Sequence, residues 1–352
     1  DIKDILEKVM IPHLVKGNAY HFAQESAALI EILALEKQDK EIDESITDPL
    51  SCLSTLSGLV IKNKAPHFMG TRMGRPEKAK ERKMNPPVHV LFPIGHESGS
   101  QRIFQNEMKK QKVVTVDIAN KYCDNCKYIT YQSACPKCRN PTQDFMICPK
   151  CKKKLRLNEI KCSSCDIPGQ LYSHRKINLI PVYRRALKRL NTAVPEIKAI
   201  KGMSSKFKVP EPLEKGMLRA KYELFVYKDG TMRFDTGDCP LTHFIPKEIY
   251  VPVEKLIELG YTHDIHGKSL ERDDQVLELK IQDILLPKKS LKYMFRISRF
   301  IDDLLEKVYK QPRYYNIKNE MDFLGHLVVG LAPHTSAGVV GRIIGFTKAN
   351  VG

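Results

Sequence analysis

The sequence predicts a mixed α+β architecture carrying a metal-stabilised insertion, and three observations lead there. Apolar residues recur with helical spacing in some stretches and alternate with polar ones in others. The two kinds do not follow one another as regular βαβ units, which disfavours a doubly wound parallel sheet. Four C-x-x-C pairs lie together between Cys123 and Cys165. Finally, 42% hydrophobic residues in a chain of 352 support the cores of two or three domains.

Taken in order, residues 1–40 read as helix, since the apolar positions of "AYHFAQESAALIEILALEK" recur at helical spacing. Leu53, Leu56, Leu59 and Ile61 mark a short element leading into a strand. "HFMGTRMGR" reads as a glycine-bearing loop, and Pro76 suits the first turn of a helix through "EKAKERKM". "NPPVHVLFPIG" and "KKQKVVTVDIANKY" are β-rich. "KINLIPVYRRALKRLN" predicts a basic helix, and "RAKYELFVYKDGTMRFD" a hairpin turning at Asp229-Gly230. "PVEKLIELGY" is a short helix ending on Gly260, and 291–309 a longer amphipathic one. The apolar stripe of that longer helix (Leu291, Phe295, Ile297, Phe300, Ile301, Leu304, Leu305) faces a core. The remaining run, "MDFLGHLVVGLAPHTSAGVVGRIIGFTKANVG", mixes strand and turn, with Gly341 and Gly345 permitting close packing. Both ends of the chain read as cuts through a longer polypeptide.

Charge narrows the functional classes. Fifty-eight Lys and Arg against 41 Asp and Glu leave a net +17 and a pI near 9.3. That balance favours a polyanionic partner, nucleic acid first. No apolar run approaches a membrane span, and "DIKDILEKVM" is no signal-peptide core. Clustered cysteines without a secretion signal imply metal binding in a reducing compartment, the cytoplasm, rather than a disulfide framework.

The cysteine spacing carries the metal chemistry. Cys123 and Cys126, Cys135 and Cys138, Cys148 and Cys151, and Cys162 and Cys165 are four knuckles, each placing two thiolates on one ion. Eight thiolates make two tetrahedral sites, paired sequentially or crossed, for zinc with iron–sulfur as the rival. All positions are taken by thiolates, so the ions are structural and supply folding energy to a segment poor in large apolar residues. Lys150, Lys152, Lys153 and Lys154 either touch nucleic acid or form a solvated rim. Cys52 and Cys239 read as core residues.

The segment "GTRMGRPEKAKERKM" at 70–84 packs six basic residues and two acidic ones into fifteen positions. Glu77 and Glu81 can pair with Lys78 and Lys80 along a solvated helix. The glycines before them allow close backbone approach, and Arg72 and Arg75 offer guanidinium forks for phosphate. His334 and Arg342 are further candidates for contact with DNA or nucleotide. Acidic metal sites are scarce: Asp235 and Asp238 suit a turn, Asp302 and Asp303 are adjacent helical residues pointing apart, and Asp273 and Asp274 sit in a charged loop.

"GTRMGRPEKAKERKM" followed by "PPVHVLFPIG" resembles the large subunit of archaeal family-D DNA polymerases. The likeness continues through the knuckles, "YKDGTMRFD", "CPLTHF" and "APHTSAGVVGRIIGFTKANVG", covering essentially all 352 residues. It implies two facing double-psi β-barrels, as in multisubunit RNA polymerases, and template-directed extension of a DNA primer. It implies Lys80 and Lys83 as catalytic lysines, with Arg72, Arg75, Lys78, Arg82, His334 and Arg342 on DNA or nucleotide. Mg²⁺ would be held by paired aspartates on a loop expected after "GRIIGFTKANVG", so the chain by itself is expected to be inactive. Implied partners are primer–template DNA, a small proofreading subunit of phosphodiesterase type and a sliding clamp.

On this reading residues 1–57 are a helical segment and 58–118 a first barrel portion with the basic loop-helix. Residues 119–172 are a double zinc-ribbon insertion, and 173–250 a helix-plus-hairpin region able to complete the first barrel. Residues 251–317 form a helical connector and 318–352 the truncated start of a second barrel. The rival reading is a non-catalytic zinc-ribbon module that binds nucleic acid or scaffolds a complex, and the basic segment at 70–84 discriminates between the two.

Overall fold

The computed structural model describes residues 13–16, 19–22, 48–58, 69–74, 83–95, 102–138, 140–155, 160–227, 234–237, 239–331 and 338–349. They fall into two units, Asp1–Phe68 and Met69–Gly352.

In the first unit, β1 (His13–Lys16) and β2 (Ala19–Phe22) pair antiparallel, from His13 opposite Phe22 to Lys16 opposite Ala19. This corrects the helix expected over 1–40 at these eight residues; the rest of that span lies outside the described residues. The register leaves Gly17-Asn18 between the strands, a dipeptide that signals a two-residue hairpin and outranks the helical spacing around it. Helix α1 (Pro49–Ser57) starts and stops on sequence signals. Asp48 accepts from the Ser51 amide at 2.8 Å, Pro49 fills the first turn, and Gly58 closes the end at φ 71°.

The second unit opens with β3 (Met69–Gly74) and β4 (Lys83–Val88). "MGTRMG" is therefore strand rather than loop, and Lys83 and Met84 begin a strand rather than end a helix. Helix α2 (Phe104–Lys110) precedes β5 (Val113–Ala119), in which Val114, Val116 and Ile118 turn inward while Val113, Thr115 and Asp117 face out. Next come β6 (Lys121–Tyr122), β7 (Ile129–Thr130), β8 (Gln143–Asp144), β9 (Met146–Ile147) and β10 (Lys154–Leu155). β11 (Tyr172–Asn178) then returns antiparallel along the whole of β5, from Tyr172 opposite Ala119 to Asn178 opposite Val113. The cysteine-rich residues thus leave and rejoin the fold at one end of a seven-residue ladder.

Asn178 caps α3 (Leu179–Leu190) by accepting from the Ile180 amide, and Asn191 ends it at φ 45°. Helix α4 (Leu213–Lys221) is buried along most of its length. A Cβ on Gly216 would come within 2.3 Å of Val90 Cβ, so this glycine lets α4 lie directly on the segment that follows β4.

The hairpin expected around Asp229-Gly230 is not the pairing observed. β12 (Val226–Tyr227) pairs with β4, while β13 (Phe234–Gly237) runs parallel to β3. The dipeptide itself lies outside the described residues. β14 (His243–Phe244), α5 (Pro246–Ile249), α6 (Val253–Glu258), β15 (Leu277–Glu278) and β16 (Asp283–Pro287) follow. Helix α7 (Leu291–Asp303) runs on into a π-helical turn, Leu304–Tyr309. β17 (Leu327–Leu331) and β18 (Gly338–Thr347) complete a mixed five-stranded sheet of order β13-β3-β17-β18-β16. β13, β3 and β17 are mutually parallel, and β18 is antiparallel to β17 and parallel to β16.

The main core lies between the inner face of β5–β11, helices α3, α4 and α7, and the sheet, with Val116, Ile118, Leu179, Met217, Phe300, Val328 and Ile344 all buried. Each such side chain contributes roughly 2 kcal/mol by leaving water. Gly341 and Gly345 supply the close approach expected of them, since Cβ atoms there would meet Ile284 and Ile249 at 2.9 Å.

Candidate metal centres and nucleic-acid interface

The four knuckles share one local design. In each, the amide of the first cysteine donates to the carbonyl five residues on: Cys123 to Tyr128, Cys135 to Asn140, Cys148 to Lys153 and Cys162 to Ile167. Closing so tight a loop needs one left-handed residue, and Lys127, Lys152 and Asp166 take it at φ 56°, 62° and 51°, one after the second cysteine of their knuckles. The turn aims backbone N–H groups at sulfur and sets both thiols on one side.

The pairing is sequential, which resolves the open alternative. Cys123, Cys126, Cys135 and Cys138 form one cluster and Cys148, Cys151, Cys162 and Cys165 the other, with all sulfurs of a cluster within 4.8 Å of one another. Sγ–Sγ separations include 3.4 Å (Cys123–Cys138), 3.3 Å (Cys126–Cys135) and 3.5 Å (Cys151–Cys162). These are far beyond a disulfide's ~2.05 Å. They approach the ~3.8 Å edge of a tetrahedron with metal–sulfur bonds of about 2.3 Å. Two four-thiolate centres fitting zinc ribbons result, and with every tetrahedral position filled by sulfur they can organise chain but not activate water.

The thiols are already polarised for metal. Cys148 is drawn down to about 7, chiefly by the Cys151 amide and against its burial. Burial pushes Cys135 up, yet the amides of Cys138 and Lys137 bring it down to about 6. Hydrogen bonding to Cys135 and burial push Cys126 up to about 12, and Cys151 does the same to Cys165.

The lysines beside the second centre have different fates. Lys154 lies 3.5 Å from the centroid of the Tyr122 ring and 4.7 Å from that of Phe145, tying the second centre to strands of the first. Lys153 donates to Ser163 at 3.0 Å. Lys150 and Lys152 are exposed. Cys239 is exposed rather than core, and Cys52 is partly exposed.

Of the basic candidates, Arg75, Lys78, Lys80 and Arg82 lie outside the described residues, as does His334. Arg72 and Lys83 are placed by their backbones only, in β3 and β4. Arg72 pairs with Asp235 of β13 on one side and Leu331 of β17 on the other. β3 and β17 are parallel, so the chain leaves Gly74 toward 75–82 and Leu331 toward 332–337 from the same end of the sheet. β18 then runs back and delivers Thr347 and Lys348 to the opposite end, where Lys288 and Lys348 flank the Tyr250 ring at 4.4 and 5.0 Å. Arg342 is committed inside the sheet: its guanidinium grips both oxygens of Asp283 at 2.7 Å, and Tyr261 donates to the same carboxylate at 2.6 Å. Asp283 and Tyr261 are buried and Arg342 is half-buried, so the guanidinium expected on DNA or nucleotide is already held by a carboxylate within the fold; only the isolated Asp283 and Arg342 were visible in the sequence.

No acidic candidate forms an open metal site among the described residues. Asp302 accepts the amides of Tyr314, Tyr315 and Asn316, while Asp303 faces Lys221, Lys307, Arg313 and the Tyr222 hydroxyl. Asp274 pairs with Arg272. Asp238 lies outside the described residues. Sequence reading also missed the outer face of α7, where Lys292, Arg296 and Arg299 recur at i, i+4 and i+7 beside its apolar stripe.

Two family models match the chain. One, for the central domain of the DNA polymerase II large subunit DP2, covers residues 1–157, and the other, for the catalytic domain of the same subunit, covers 190–352. Curated DNA polymerase II large subunits are similar throughout. That of Pyrococcus abyssi is 43% identical over 100% of this chain and 25% of its own length. That of Archaeoglobus fulgidus is 44% identical over 100% and 31%. That of Thermococcus kodakarensis is 48% identical over 83% and 17%. The chain therefore spans roughly a quarter of the length of these relatives.

Proposed function

Because this chain belongs to the family of DNA polymerase II large subunits, we propose that it is the central part of the catalytic subunit of a replicative DNA polymerase. The reaction is template-directed nucleotidyl transfer. One observation carries the reading: β3, which leads into the basic segment 75–82, is hydrogen-bonded beside β17, which leads into 332–337. The last residues of the two strands, Gly74 and Leu331, thereby lie at one end of one sheet, and the cation-rich segment and the one with His334 follow them in the chain. Loops at the carboxyl ends of neighbouring parallel strands are a common place for a phosphate-bearing substrate.

In this proposal Lys80 and Lys83 stabilise charge developing on the triphosphate. Arg72, Arg75, Lys78, Arg82 and His334 hold DNA or nucleotide. Mg²⁺ is held by paired aspartates supplied elsewhere in the subunit, since Asp302, Asp303 and Asp274 are engaged in ion pairs or backbone hydrogen bonds. The metal would activate the primer 3′-oxygen and neutralise the leaving pyrophosphate. Bringing the basic segment and the paired aspartates together calls for a closed barrel. A double-psi barrel provides that closure, and it is part of the proposal. The chain alone then binds DNA without extending it. The small proofreading subunit, the sliding clamp and primer–template DNA are the partners of the whole assembly.

The test is substitution in the complete large subunit with its partner. Lys80→Ala or Lys83→Ala should lower nucleotide incorporation by about 100-fold or more, with duplex affinity nearly unchanged. If the segment only scaffolds, each substitution instead weakens binding and lowers the salt slope by about one unit per phosphate contact, leaving incorporation by bound enzyme intact.

A further inference from the structure

We propose that the outer face of α7 is a separate binding site for the phosphodiester backbone of nucleic acid, distinct in the chain from the 70–84 segment. Lys292, Phe295, Arg296, Arg299 and Lys318 line an open depression of about 300 Å³. Lys292 and Arg299 are exposed on the helix, and Lys318 is exposed on the segment that packs back against it.

Charge in the depression is only partly compensated. Arg296 is paired with Glu223, whose side chain is 69% exposed and therefore screened by water. Among the described residues no carboxylate pairs with the side chains of Lys292, Arg299 or Lys318. Glu320, the nearest acid in sequence to Lys318, pairs with Lys288 at 3.7 Å, and Asp322 accepts the backbone amides of Lys318 and Asn319 while feeling the Lys318 charge at longer range. Three cations with no carboxylate ion pair among the described residues surround one hollow, which suits an anion from outside.

The geometry favours an extended polyanion over a single ion. Lys292, Arg296 and Arg299 share one helical stripe and span about 10 Å along the axis at ~1.5 Å per residue. A nucleic-acid strand offers a charge about every 3.4 Å of its helix axis, so this stripe matches roughly three consecutive phosphates. Phe295, backed edge-on by Phe323 at 5.0 Å and covered by the Arg299 guanidinium at 5.8 Å, gives the hollow an apolar floor suited to a sugar or base. The net +17 of the chain and its kinship with DNA polymerase subunits favour nucleic acid over an acidic protein segment. The inference rests on the reading of the chain as a nucleic-acid enzyme.

Its test uses the 352-residue, zinc-loaded chain and a fluorescently labelled 30-base-pair DNA duplex, with anisotropy read from about 50 to 300 mM KCl. The Lys292→Gln/Arg299→Gln/Lys318→Gln variant should lose about two to three units of the slope of log K against log salt. A control carrying Lys206→Gln, Lys247→Gln and Lys268→Gln, three exposed lysines elsewhere, should keep the parental slope. Equal slopes for the triple variant and the parent would overturn the site. So would an equal loss in the control, or a variant that binds duplex normally but no longer binds polyglutamate. Absence of any salt-dependent duplex binding by the parent would instead strike the polymerase reading itself.

Discussion

His89 shows how a single side chain can set a pH limit on the fold. It is buried where β4 ends, its Nδ1 accepts the Lys198 amide at 3.1 Å, and its ring stacks on Phe225. Burial first, then the positive charges of Lys198 and Arg219, lower its pKa from 6.5 to about 4. Between those values the unfolded chain holds a proton that the folded chain refuses, so stability falls as pH drops through this window and is fully present above 6.5. The contribution lost by pH 4 is on the order of 3 kcal/mol. Urea midpoints measured from pH 7 to 4 should fall more steeply for the parent than for His89→Asn, which keeps an acceptor but cannot titrate. Parallel profiles would dismiss this role. At the same scale, the fate of Asp302 and Asp303 was legible: adjacent positions on a helix face different ways, and each carboxylate serves its own hydrogen-bond network. The Asp283–Arg342 pair was not, because 59 residues separate the partners and only the β16–β18 register brings them together.

Among elements, those whose signals are local were readable and those whose partners are distant were not. The leucine spacing marks a short element where α1 lies, but not its caps at Asp48-Pro49 and Gly58; "KKQKVVTVDIANKY" reads as the strand β5, and the knuckle spacing gives both metal centres. Asp229-Gly230 speaks only for a turn. The choice of β4 and β3 as partners for the flanking strands is made by residues more than a hundred positions away. Close packing of α4 yields a second prediction. Gly216→Ala should destabilise by about 1–3 kcal/mol through its clash with Val90, and Val90→Ala in the same chain should recover part of that loss. Additive effects of the two changes would show that they do not meet. The metal centres yield a third. Chelation should speed amide exchange through 121–155 and 160–168 while α3 stays protected, because the sulfur clusters stand where a hydrophobic core would otherwise be. Uniform loss of protection across α3 as well would mean that the ions hold the whole unit.

For the molecule as a whole, the net +17 and the 70–84 segment pointed toward nucleic acid before any strand was placed. What the sequence could not supply was adjacency. The parallel alignment of β3 with β17 crosses more than 250 residues, and no periodicity announces it. The same holds for α7, whose inner stripe reads as core in any window, while its outer cations gain meaning only once Lys318 folds back beside them. Among the described residues no helix is long and apolar enough to cross a membrane.

The ladder of β5 and β11 has a practical corollary. Ala119 and Tyr172 face each other across a single strand spacing, about 5 Å. Everything between them is grafted onto a stem whose two cut ends already touch. Excising 120–171 and splicing in an Asn-Gly turn should leave a shortened, zinc-free chain that still melts cooperatively, as calorimetry can establish. Such a deletion would let replication assays ask what the fingers add to an otherwise intact body.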